Sequence, residues 1–176
     1  MTTRLLFAGF GGQGLLFMGK VLAYAGLLED QQVSWLPSYG PEMKGGTANV
    51  SVIFSDEPIG APIVLELDIL VALNLPSYLK FADKVKPGGM LIADSSLIDV
   101  ACTREDIRVF YIPATRLAYD EGLEGLASMI LTGKLLAETD LAEDGTIQAA
   151  MGKSVPPRKT AMLESNLKAI ALGQTL

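Results

Sequence analysis

At 176 residues, with a net charge of −6 and 49% apolar side chains, the chain is about one domain long and can bury a real core. It has no histidine and a single cysteine, Cys102, so it can build no histidine-based triad and no imidazole-bound zinc, and it cannot hold a four-thiolate iron–sulfur cluster alone. Any redox chemistry has to come from a bound cofactor or another chain. Charged residues are sparse at 19%, against roughly 25% in ordinary soluble domains, and the mean hydropathy is +0.35. Either the core is unusually large or another chain covers part of the surface; the second reading is favoured, because large apolar patches mark interaction sites. No uninterrupted apolar run reaches the roughly 18 residues of a transmembrane helix. The opening residues superficially suggest a signal peptide, but Gly9, Gly11, Gly12 and Gly14 break the run and Lys20 follows it, so a cytoplasmic protein is expected. No basic stripe is present to bind nucleic acid.

Residues 4–8 are a short apolar strand ending in Gly9-Phe10-Gly11-Gly12-Gln13-Gly14. Residues 15–28 then read as a helix that is apolar on nearly every side, including Leu15, Phe17, Met18, Val21 and Leu22. A helix lying on a sheet needs only one apolar stripe, so this one packs under something further, either another subunit or a second layer of its own domain. Residues 32–36 read as a second strand leading into a loop rich in chain-turning residues. Residues 47–54 alternate, with Ala48, Val50, Val52 and Phe54 on one face and Thr47, Asn49 and Ser51 on the other, as in an antiparallel or marginal strand.

Residues 68–73 form a continuous apolar run, expected of a central parallel strand covered on both faces. A helix over 76–85, a turn at Lys86-Pro87-Gly88-Gly89, and strands at 90–93 and 107–112 follow. The remainder reads as helices over 114–119, 123–137, 143–151 and 158–172, with Pro156-Pro157 separating the last two and Leu163, Leu167 and Ile170 forming a docking stripe. The expected architecture is one α/β domain over 1–176, a three-layer Rossmann-like fold with a mostly parallel sheet and a helical C-terminal third.

Gly9, Gly11 and Gly14 satisfy the spacing G-x-G-x-x-G between a strand and a helix. Glycines there permit a sharp turn and the close approach of a phosphate, while the helix start offers unpaired amides to an anion. A purely structural tight turn is the alternative. A nicotinamide site further requires an acidic residue at the end of the second strand, where this chain has Leu36, Pro37 and Ser38. That absence counts against a small nicotinamide or flavin oxidoreductase.

The turn Gly11-Gly12-Gln13-Gly14, followed by Pro37-Ser38-Tyr39-Gly40-Pro41-Glu42-Met43-Lys44-Gly45-Gly46-Thr47-Ala48, resembles the paired motifs of the gamma subunits of 2-oxoacid:ferredoxin oxidoreductases. The likeness is good over about residues 1–112 and rests on order and length beyond. It implies oxidative decarboxylation of a 2-oxoacid to an acyl-CoA, by an enzyme in which thiamine diphosphate lies between alpha and beta parts and other parts carry iron–sulfur clusters. The gamma chain it implies is non-catalytic and inactive alone, holds no cofactor by itself, and contributes to coenzyme A binding. Alpha and beta subunits are the implied partners, with a ferredoxin-like delta subunit as a further one.

Carried over by position, the binding surface comprises Gly9, Gly11, Gly12, Gln13 and Gly14 with Ser38, Tyr39, Gly40, Lys44, Gly45, Gly46 and Thr47. Both bends are expected at the carboxyl ends of adjacent early strands. Lys44 is either a phosphate contact or a solvated lysine, and Glu42 either orients a partner group or is an exposed carboxylate. Tyr39 and Met43 are subunit anchors or local packing. Cys102 reads as a small buried or loop residue rather than a nucleophile. A stand-alone coenzyme A- or nucleotide-binding module is the alternative function.

Overall fold

Strands β1 (Thr2–Phe10), β2 (Gln32–Tyr39), β3 (Thr47–Ser55), β4 (Leu67–Ala72), β5 (Val85–Asp94) and β6 (Arg108–Ile112) form one sheet in the spatial order β2-β3-β1-β4-β5-β6. The structure is a computed structural model and describes residues 2–40 and 47–176. Strands β1, β4, β5 and β6 pair in parallel, whereas β3 is antiparallel to both β1 and β2. Since β2 therefore points the same way as β1, only β3 runs against the common direction. The register Leu5↔Val52 and Phe7↔Val50 places the buried series Ala48, Val50, Val52 and Phe54 on one face, the face expected from their alternation.

Helices α1 (Leu15–Leu28), α3 (Ala114–Asp120), α4 (Ala127–Ala137), α5 (Asp144–Ser154) and α6 (Thr160–Gln174) contribute to the core on that face. The opposite face is covered by α2 (Leu75–Phe81), through Tyr78, and by the irregular segment 95–107, through Ile98, Val100 and Cys102. The cover is thus unequal, and on the first face it is two helices deep. Helix α5 packs against α1, and α6 against α4. This accounts for much of the apolar surface of α1, whose second buried side meets its own domain, while Leu16, Leu27 and Leu28 remain exposed.

Connectivity reverses at the middle of the sheet. The chain leaves β1 through α1 on one face and reaches β2 at the far edge; it leaves β4 through α2 on the other face and reaches β5 on the opposite side. The crevice between the carboxyl ends of β1 and β4 is therefore the topological switch point, where ligands of open α/β sheets bind.

Several boundaries differ from the sequence expectation, each for a local reason. Strand β2 continues through Pro37 to Tyr39, which an edge strand tolerates because one row of its amides has no ladder partner. The helix expected over 76–85 is α2 followed by a 3-10 turn, Ala82–Lys84. Lys86-Pro87-Gly88-Gly89 is a bulge within β5: the register passes from Leu67↔Val85 to Ile69↔Met90, with Gly88 at φ 78 and Lys86 ion-paired to Asp68. Helix α4 begins at Ala127 rather than at 123, since Gly122 and Gly125 adopt positive φ. Residues Pro157–Lys159 form a 3-10 turn ahead of α6, and Leu163 and Leu167 pack against the core beside buried Ile170.

Candidate functional site

The glycine turn is built from its own side chains and from the next parallel strand. The Phe10 amide donates to Gln13 Oε1 at 2.6 Å, and Gln13 Nε2 donates to the Leu73 carbonyl at 3.0 Å. The Leu73 amide in turn donates to the Ala8 carbonyl at 2.8 Å. Gln13 therefore ties the ends of β1 and β4 together, and both polar ends of its side chain are engaged in that tie. The sequence places Gln13 among the ligand contacts; the structure makes it a brace. Gly12 lies at φ 98 with open space where a side chain would stand.

Gly14 is the N-cap of α1 in a left-handed conformation, φ 84. No side chain caps this helix start and no acidic residue occupies its first turn. The first turn of any α-helix leaves amides without intrahelical acceptors, and here the first helical bond is from Met18 to the Gly14 carbonyl. The amides of Leu15, Leu16 and Phe17 are thus presented at the positive end of a fourteen-residue helix, a geometry suited to an anion.

Across the crevice, Asn74 follows β4 and caps α2, its Oδ1 accepting from the Ser77 amide at 2.9 Å. Its Nδ2 is buried and lacks a partner among the described residues. Tyr78, one turn further, is a neutral phenol. Burial above all holds its pKa well above the ordinary tyrosine range, and the Cys102 and Tyr111 side chains add to the effect. Cys102 is half-buried in the 95–107 segment, where its amide donates to Tyr111 Oη.

The second bend lies at the same end of the sheet. Phe10 pairs with Thr47 and Tyr39 with Ala48, and the Gly40 amide donates to the Thr47 carbonyl at 3.4 Å. Gly9 through Gly14, Gly40 and Thr47 therefore share one pole of the molecule. Strands β1 and β2, whose carboxyl ends lead into the two bends, are not neighbours, however: β3 pairs with both and lies between them. At about 4.8 Å per strand, that sets the end of β2 roughly twice as far from the glycine turn as in a dinucleotide fold, a further reason against a nicotinamide site. Ser38 pairs with Asn49, so it faces away from the side that Tyr39 shares with Ala48. Lys44, Gly45 and Gly46, with Pro41, Glu42 and Met43, lie outside the described residues.

Sequence reasoning missed Asn74 and Ser128. Asn74 carried a signal, since an Asn two residues before Pro76 is a helix-start pattern at the end of an apolar strand. Ser128 carried none, because only the packing of α4 beside α1 brings it to the turn.

The sequence matches the family described as pyruvate ferredoxin/flavodoxin oxidoreductase over residues 4–176. The chain belongs to this family. It is 35% identical over 176 residues to the 2-oxoglutarate synthase subunit KorC of Methanocaldococcus jannaschii, covering 98% of this chain and 92% of that one. It is 37% identical over 172 residues to the ketoisovalerate oxidoreductase subunit VorA of Methanothermobacter thermautotrophicus, covering 97% of this chain. There it spans only 35% of the relative's length, so the family domain occurs both as nearly a whole subunit and as part of a larger one. Among solved structures, the keto/oxoacid ferredoxin oxidoreductase gamma subunit of Geobacter sulfurreducens superposes with a TM-score of 0.86 at 28% identity, covering 99% of this chain and 95% of that one. No helix among the described residues is long and apolar enough to cross a membrane.

Proposed function

We propose that this chain is the non-catalytic gamma component of a thiamine-diphosphate-dependent 2-oxoacid:ferredoxin oxidoreductase, and that its glycine turn contacts the phosphate groups of coenzyme A. The observation that carries the second part is the uncapped start of α1 at the switch point, where Leu15, Leu16 and Phe17 present amides that no side chain neutralises. Coenzyme A bears a diphosphate of the size and charge such a turn accepts. The first part rests on family membership and on the chain's lack of histidine and of more than one cysteine.

In this reading thiamine diphosphate, bound by alpha and beta partners, supplies the decarboxylation chemistry, and iron–sulfur clusters elsewhere in the assembly accept the electrons. The role of this chain is to bind and orient. Gly12 leaves the turn open to close approach, Gln13 keeps the turn's shape by bridging to Leu73, and Lys44, on the second loop, adds a cation toward the same phosphates. Ser38, Tyr39, Gly40, Gly45, Gly46 and Thr47 complete the proposed surface.

The test is steady-state kinetics of the reassembled enzyme carrying Lys44→Ala. Loss of one charge-assisted contact raises KM for coenzyme A about tenfold, while KM for the 2-oxoacid stays unchanged. An unaltered KM for coenzyme A would remove Lys44 from the site. A stand-alone binding module is separated from this reading by pull-down of the tagged chain from native extract: thiamine-binding subunits accompany a gamma component and are absent from a module.

A further inference from the structure

A second helix begins at the glycine turn. Ser128 lies in the first turn of α4, is only 2% exposed, and has no hydrogen bond to its hydroxyl among the described residues. A Cβ placed on Gly14 would stand 2.6 Å from Ser128 Oγ, so the hydroxyl is aimed at the N-cap of α1. Helix α4, eleven residues long, likewise has no side-chain cap and no acidic residue in its first turn. Helix starts are commonly capped by Ser, Thr, Asp or Asn. Here two uncapped starts meet around an unbonded hydroxyl, and each brings the partial positive charge of a helix N-terminus.

From this juxtaposition we propose that α4 forms the second wall of the anion site. In it, the Ser128 hydroxyl and the first amides of α4 bind the same phosphoryl group as the first amides of α1, and Asn74 Nδ2 is available as a donor from the β4 side. The inference rests on the reading of the glycine turn as a phosphate site and extends it: the crevice takes a dianionic phosphoryl group clamped between two helix starts. It also gives Gly14 a second reason to be glycine. Beyond its left-handed φ, any side chain there would collide with the Ser128 hydroxyl.

The test titrates inorganic pyrophosphate into the full chain, observed by backbone amide NMR and by thermal melting. Binding should move the amides of Gly14, Leu15 and Leu16 together with those of Ala127 and Ser128. Ser128→Ala should weaken pyrophosphate about tenfold with the melting temperature of the free chain unchanged, because the lost hydroxyl bonds nothing in the free protein. If the α1 amides move, the α4 amides do not, and Ser128→Ala binds equally well, the second wall is refuted while the glycine turn stands as a phosphate site. Absence of any pyrophosphate binding to the wild-type chain would refute the two-helix site outright, leaving the role in coenzyme A use to the kinetics of the Lys44→Ala enzyme. Parallel arms with orthophosphate and coenzyme A assign the phosphoryl source: tighter coenzyme A binding marks an esterified diphosphate, tighter orthophosphate binding a free phosphate, and either is a phosphoryl group held by the clamp.

Discussion

Alanine at Gly133 should weaken the chain although it improves the local helix. Gly133 sits mid-way along α4 where α6 crosses it: a Cβ there would stand 2.9 Å from Gly173 Cα and closer still to the Ile170 carbonyl oxygen. The obstacles are backbone atoms, which cannot rotate away. Non-bonded carbons prefer about 3.5–4.0 Å, so the two helices have to part by roughly 1 Å. Parting opens a seam that contains Ile130, Ala169 and Ile170, all buried. Overpacking of this kind costs about 1–3 kcal/mol, and the better helix propensity of alanine offsets about 1 kcal/mol. A net loss of up to about 2 kcal/mol lowers the melting temperature of a chain this size by up to roughly 8 °C. Gly152 in α5 is the internal control, since its Cβ would meet nothing within 4 Å; Gly152→Ala should stabilise by about 0.5–1 kcal/mol. Urea unfolding followed by circular dichroism reads both variants. A Gly133→Ala protein as stable as Gly152→Ala would refute the close α4–α6 crossing.

Gln13→Ala removes the Phe10 and Leu73 hydrogen bonds together and should cost about 1–3 kcal/mol in unfolding free energy; equal stability in a urea titration would show that the turn holds its shape without the brace. Tyr78 has a folded-state pKa raised above 10.0, so its contribution to stability is full below that pH and is lost as pH rises through the folded value. Melting curves should therefore fall on the alkaline side, and Tyr78→Phe should flatten that fall; an identical alkaline limb in the variant contradicts the burial argument. Asp106 is shifted the other way, its carboxyl held below 3.8 chiefly by the Arg104 hydrogen bond. Its contribution is present above that pH and is lost as pH falls through the lower folded value, so Asp106→Asn should lower stability slightly at neutral pH and flatten the acid limb, the two proteins converging at low pH. An acid limb as steep in the variant as in the parent would place the sensitivity elsewhere.

Much of the sheet was legible because its residues carry the period of their surroundings. The run Ile69-Leu70-Val71-Ala72 reads as a doubly covered strand and is one, and the alternation from Ala48 to Phe54 marks β3 as half-polar and antiparallel. The strand-turn-helix context of Gly9 to Gly14 likewise placed the turn at the carboxyl end of an early strand. The order of strands was not legible: that β3 returns between β1 and β2 depends on hairpin pairing over the 40–47 bend, and nothing within β1 or β2 alone reports it. The second layer over α1 was visible only as excess apolar character, equally consistent with another subunit until α5 is seen to cover it. Gln13 illustrates the limit at the site. Its position in the motif is plain, but whether its amide faces a ligand or Leu73 is decided by a strand sixty residues later. Ser128 is the extreme case, since its meeting with Gly14 is purely tertiary.

Reconstitution tests the central claim most directly. Partner subunits purified without this chain are assayed for acyl-CoA formation from a 2-oxoacid, coenzyme A and oxidised ferredoxin, before and after its addition, beside the chain alone. A gamma component restores turnover to the depleted partners and has none by itself. Turnover by the isolated chain, or partners that work equally well without it, would contradict the account.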